Sequence, residues 1–107
     1  MAKATYWQRG ESLDYVNSGD TVIEANTIVD LGTRIGVIGT DINPKERGSI
    51  HVVGVFEIAK TGGEIAMGAA VYFDGTGITA ATSGTPAGYA AAAAGADDAT
   101  VLVKLLG

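Results

Sequence analysis

The chain has no cysteine, two prolines, one histidine and one tryptophan among its 107 residues, and each shortage removes a class of function. Without cysteine there is neither a disulfide scaffold nor a thiolate metal site, and the redox compartment stays open. With His51 as the sole histidine, imidazole metal binding and general-base catalysis both rest on one side chain. Basic residues are scarce too, seven against twelve acidic ones, for a net charge of −5. That balance opposes phosphate binding, which depends on clustered Lys and Arg releasing counterions, so no nucleic-acid partner is expected. Long apolar runs are missing. No stretch approaches the roughly 20 apolar residues of a membrane span, and MAKATYWQRGES lacks the apolar centre of a signal peptide. A chain kept soluble, with no membrane partner, is expected.

What is present is glycine, alanine and β-branched residues. The length suits one domain, able to bury roughly two thirds of its unfolded surface without staples. Sixteen glycines suggest tight turns and thin packing layers rather than a disordered tail. The strongest local signal is GSIHVVGVFEIAK at 48–60, read as the central strand. Ile50, Val52, Phe56 and Ile58 alternate with His51, Val53, Val55 and Glu57, the two-residue period of a pleated strand. Both faces are apolar in the middle, so cover is expected on each side, from a core and from something further such as a second subunit. Gly54 marks a bulge, a bend or a close backbone approach, the device by which a small barrel turns its corners.

Ahead of that strand, residues 1–12 form a polar arm carrying Tyr6, Trp7 and Arg9, residue types that anchor interfaces. Two readings stand: a first strand covering its own barrel, or an arm that adds a strand to a partner's sheet edge. Leu13, Tyr15 and the stretch 21–23 continue as short strands around the turn NSGD. Next comes an internal echo. Ile23, Asn26, Ile28 and Val29 recur 42 positions later as Ile65, Gly68, Ala70 and Val71. Asn and Gly most readily take positive φ, so both copies are expected to make the same tight turn. RIGVIG at 34–39 leads through a polar loop to the central strand, and PAGYAA at 86–91 leads through AGADD to ATVLVKLL. The chain reads as two copies of one β unit. Val71–Asp74 is a strand ended by DGTG, and ITAATSGTP a short strand entering a loop. The alanines at 90–94 favour a strand with small side chains over a helix, since five alanines cannot nucleate alone. Residues 100–106 form a last strand, apolar on both faces.

Motifs of chemistry fail on context. TDINPKERG at 40–48 holds Asp41, Asn43 and Glu46, but Pro44 and Lys45 occupy its middle and the spacing is not that of a calcium loop. GEIAMGA has phosphate-loop glycines, yet Ala69 and Ala70 stand where Lys and Ser/Thr are needed. GTGITA imitates a dinucleotide fingerprint, with Asp97 about twenty residues on, but ATSGTP cannot supply the helix. Ser12, Ser18, Ser49 and Ser83 lie in no nucleophile elbow, and Asp97 and Asp98 are adjacent rather than facing. No catalytic, cofactor-binding or metal site is expected, and the chain is read as no enzyme.

As an ensemble, QRGESLDYVN, GDTVIEANTIVDLGTRIGVIGTDI, GSIHVVGVFEIAKTGGEIAMGAAVYFD, AGYAAAAA and VLVKLL resemble the phage capsid decoration, or cement, proteins. The likeness spans nearly the whole chain, and VGVFEIAK followed by IAMGAAVYFD is its most specific part. Ala69 departs from the acidic residue that relatives often carry after the glycine, as does the alanine-rich stretch from the family pattern. The resemblance implies an all-β, single-domain β-barrel or β-tulip subunit over 13–107 behind the 1–12 arm. It implies a homotrimer, a dimer being the alternative, made in the bacterial host cytoplasm and bound to the outer face of an icosahedral head. Its partner would be the major capsid protein, with adjacent subunits bridged and the arm residues Tyr6, Trp7 and Arg9 expected in that contact. The competing reading is a virion-displayed binding module, for host surface glycans for example.

Overall fold

The computed structural model describes residues 2–6 and 8–106, none of them helical. Nine strands run in chain order: β1 Ser12–Val16, β2 Ile28–Asp30, β3 Ile35–Ile38, β4 Arg47–His51, β5 Val55–Ala59, β6 Ala70–Phe73, β7 Ile78–Thr79, β8 Thr85–Ala90 and β9 Thr100–Leu105. They form two antiparallel sheets, ordered β1-β4-β3-β2 and β5-β9-β8-β6-β7. The described residues make a slab 43 × 41 × 20 Å.

The all-β expectation holds, but no closed barrel forms: among the described residues both sheets are open. The edges of the second sheet meet at one isolated parallel bridge, Lys60 to Ile78. A barrel needs a ladder there, and β7, two residues long, leaves the sheet too soon to supply one. The central strand is likewise two strands in different sheets. β4 lies inside the first sheet and β5 at the edge of the second. Gly54, at φ 124°, makes the bend between them, a conformation that costs a residue with a Cβ about 1–2 kcal/mol.

The internal echo is a repeat in three dimensions. Ile23 bridges Ile42 as Ile65 bridges Ala94. Asn26 and Gly68 take positive φ of 70° and 86°, and their N–H groups donate to Ile38 O and Ala90 O at 2.7 and 2.8 Å. Registers correspond as well: Val29 faces Gly36 as Val71 faces Gly88, and Leu13 faces Ile50 as Phe56 faces Val103. The second half differs by β7 and by a register shift between Val71 and Tyr72.

Each half buries its own apolar layer. Ile38, Ile42 and Ile50 cluster with Tyr15, Ile23 and Val29; their counterparts Ala90, Ala94, Val103, Ile58, Ile65 and Val71 lie in the larger core. That core also takes in Ile35 and Val37 of β3, which joins the sheets. A buried Ile or Val contributes about 1.5–3 kcal/mol relative to exposure. The alanine run is a strand only to Ala90, after which Ala91 and Ala92 bend and Ala94 makes its bridge.

Candidate interaction surfaces

The residues that could carry chemistry serve the fold. Asp41 Oδ1 accepts the Ala25 N–H at 2.7 Å, tying the polar loop to the Asn26 turn. Asn43 O accepts the Glu46 N–H at 3.1 Å, and Lys45 sits at φ 66°, so NPKE is a reverse turn. Asp98 Oδ2 accepts the Gly95 N–H at 2.7 Å. In DGTG, Asp74 Oδ1 accepts the Thr76 and Gly77 N–H groups, both at 2.9 Å, while Oδ2 accepts the Thr61 hydroxyl at 2.5 Å. The Thr61 hydrogen bond first, then those backbone donors, hold the Asp74 carboxyl below the usual carboxylate range. The DGTG glycines lead into β7, a two-residue strand, where a dinucleotide site needs a helix.

His51 is half-buried on β4, its ring 6.1 Å from that of Phe56 at a 36° tilt. Ser49 lies two residues before it, and both side chains flank Gly39, where an added Cβ would meet Ser49 Oγ at 2.8 Å and His51 Nε2 at 3.0 Å. A nucleophilic dyad needs a hydrogen bond to the imidazole and an acid to orient it; among the described residues neither is present. Nor do these residues hold any group of three His, Cys, Asp or Glu able to bind a metal ion.

What the molecule does offer is surface. Tyr6 is 81% exposed, Arg9 is exposed, and residues 2–6 and 8–10 belong to no strand. Among the described residues, 2–6 and 8–10 thus add no strand to the sheet, whereas Ser12 at the end of the arm opens β1, and Tyr6 and Arg9 face solvent. Trp7, the third arm residue singled out, lies outside the described residues. A second surface is the outer face of the second sheet, where Val55, Tyr89 and Leu102 are exposed. The apolar alternate positions of β5 and β9 signalled that face in sequence. Tyr89 was missed, since its importance depends on which strands flank β8. Met67, 72% exposed at the tip of the Gly68 turn, was missed as well.

Among protein families, the one described as phage cement protein matches residues 7–105. No curated protein and no solved structure matches.

Proposed function

The chain belongs to the phage cement protein family, and from that membership we propose that it binds the outer surface of an icosahedral head and bridges adjacent major capsid protein subunits. The family is structural and non-enzymatic, and it implies a capsid decoration role on the virion. The observation that carries the reading is the extent of the match, which spans both β units. The supporting physics is consistent with it. A net charge of −5 suits the outside of a head better than its DNA-filled interior. A slab 20 Å thick can lie flat on a shell.

Bridging works by linkage: contacts made only in the assembled shell add to the free energy that expansion or internal pressure must overcome. A specific contact needs about 1,000 Å² or more of buried surface, and three weak contacts offered by one trimer reinforce each other through effective concentration. The arm, whose Tyr6 and Arg9 are exposed, supplies part of that contact through Tyr6, Trp7 and Arg9.

The test is co-sedimentation with phage heads stripped of the protein, together with the melting temperature of those heads, for the full chain and for one lacking residues 1–9. Saturable binding that raises head stability, weakened by the deletion, is the expected result. Absence of binding to every head form would sink the reading and turn the search to surface glycans.

A further inference from the structure

We infer that the free edge of β5 is a strand acceptor, which takes an extended basic segment of the major capsid protein as an added strand of the second sheet. Among the described residues β5 pairs with β9 and with no other strand, from Val55 opposite Lys104 to Ala59 opposite Thr100. Lys60 N–H donates to Ala99 O and Leu105 N–H to Gly54 O, both at 2.9 Å. Antiparallel bonding alternates along a strand, so residues 54, 56, 58 and 60 turn their backbone groups to β9, and Val55 and Glu57 turn theirs to the open side. That side is met once, where Thr61 N–H donates to Ile78 O at 2.9 Å beside the Lys60–Ile78 bridge. The ladder cannot run back along β5, because the residues before Ile78 close the DGTG turn, with Asp74 N–H donating to Gly77 O at 3.0 Å.

Of the other edge strands, β2 and β7 have only three and two residues. β1 matches β5 in length but lines no part of the cleft of about 350 Å³ beside β5. Four consecutive β5 residues, Phe56 to Ala59, line that cleft, so it opens along the edge of the strand rather than over one of its faces. Ile28 and Val37 of the first sheet complete its apolar wall. The β5 sequence VFEIA also has neither the proline nor the lysine that blunts many natural edges. Unpaired backbone groups with an apolar cleft beside them are what strand addition uses, the first for affinity and the second for specificity.

The edge sets the chemistry of its occupant. On an added strand, side chains opposite Phe56 and Ile58 share their inward face and enter the cleft, while the one opposite Glu57 shares its outward face. Glu57 is exposed and is the one charged residue lining the cleft, and its Oε2 accepts the Thr100 hydroxyl at 3.1 Å. In a chain of net charge −5, that position attracts Lys or Arg and repels an acidic segment. The occupant is therefore an extended stretch that reads apolar, basic, apolar. The five residues of β5 span roughly 17 Å. A strand of that length is smaller than a standard interface, so it acts as one contact among several. That the donor is the capsid protein rests on the cement reading; the open edge, the cleft and the charge do not.

The test is calorimetric titration of the full chain with overlapping synthetic peptides that tile the major capsid protein of the matching phage, and with a peptide of residues 2–10 of this chain. Glu57→Pro removes an edge N–H that β9 does not use, a substitution edge strands tolerate, and Glu57→Lys reverses the charge while leaving the backbone intact. A capsid peptide with the apolar, basic, apolar pattern is expected to bind, with affinity reduced about tenfold in each variant. Amide hydrogen exchange at Val55 and Glu57 is expected to slow when that peptide is bound. No binding by any capsid peptide, or an affinity that Glu57→Pro leaves unchanged, would overturn the proposal. Tightest binding by the 2–10 peptide would overturn it too, giving the edge to the arm of another copy. Should Glu57→Pro fail to fold, exchange in the wild-type chain decides: unchanged rates at Val55 and Glu57 overturn the proposal. Heads bound equally by wild type and Glu57→Pro, with no peptide bound, refute this inference alone. Peptides bound by a chain that ignores whole heads refute the cement reading alone.

Discussion

Asn17 and Lys60 occupy corresponding positions just after β1 and β5, and each fastens the loop that returns to the neighbouring strand. Asn17 Nδ2 donates to Ile42 O at 2.9 Å and to Thr21 O at 2.7 Å, while Lys60 Nζ donates to Gly95 O at 2.8 Å and Asp98 O at 3.1 Å. Their backbone N–H groups also match, donating to Glu46 O and Ala99 O, both at 2.9 Å. One fastening is buried and neutral, the other exposed and charged.

That difference sets the cost of losing each. Asn17 is 2% exposed and its Oδ1 also accepts the Gly19 N–H at 3.0 Å. Asn17→Ala should destabilise the chain by about 1–3 kcal/mol, lowering Tm by roughly 5–20 °C at this length. Lys60→Met should cost less than about 1 kcal/mol, because water replaces its exposed bonds. Chemical denaturation of both variants checks the order.

Gly36 and Gly88 are counterparts with unequal tolerance. A Cβ on Gly36 would meet the Ile50 side chain, Cδ1 at 2.5 Å and Cγ1 at 2.6 Å, whereas on Gly88, at φ 140°, it would collide with backbone, the Lys104 carbonyl oxygen. Gly36→Ala should cost about 1–3 kcal/mol, and Gly88→Ala should break the pairing of β8 with β9. Circular dichroism melts decide: equal losses would refute the distinction.

The Gly68 turn tests the repeat. At φ 86° with open space around it, Gly68→Ala should cost about 1–2 kcal/mol from backbone strain alone. Gly68→Asn should cost less, since Asn26 already holds the corresponding turn at φ 70°. A larger loss for Asn than for Ala in urea melts would contradict the equivalence.

Acid should loosen two hydroxyl–carboxylate links. Asp30 Oδ2 accepts the Thr85 hydroxyl at 2.6 Å across the two sheets, and that bond, then the Gly32 N–H, lowers the Asp30 pKa below 3.8. Asp74 is lowered chiefly by Thr61. A carboxyl depressed in the folded state contributes stability that is present above pH 3.8 and lost as pH falls through the folded value. Thr85→Val and Thr61→Val should each narrow the gap between Tm at neutral pH and Tm near pH 3. An unchanged gap would remove these bonds from the account.

Much of this architecture was legible because strands write themselves in alternation. Ile23, Asn26 and Ile28 against Ile65, Gly68 and Ala70 revealed the repeat, since a turn that needs positive φ admits few residue types. Closure was not legible. Whether a set of short strands rolls into a barrel depends on pairing between its first and last members, and the single Lys60–Ile78 bridge is a long-range event with no local signature. The arm was visible as composition, but that residues 2–6 stay exposed is a statement about what fails to pack on them.

The sequence by itself determined the β class and the two equivalent units, and it marked Gly54 as a bulge, a bend or a close approach, because all of these are set by residue type and short-range spacing. Only the tertiary structure decided that 48–60 divides between two sheets, and that Val37 is buried while its counterpart Tyr89 faces outward. Alternation assigns side chains to the two faces of a strand; which face is covered depends on the element that packs against it, and no local pattern encodes that.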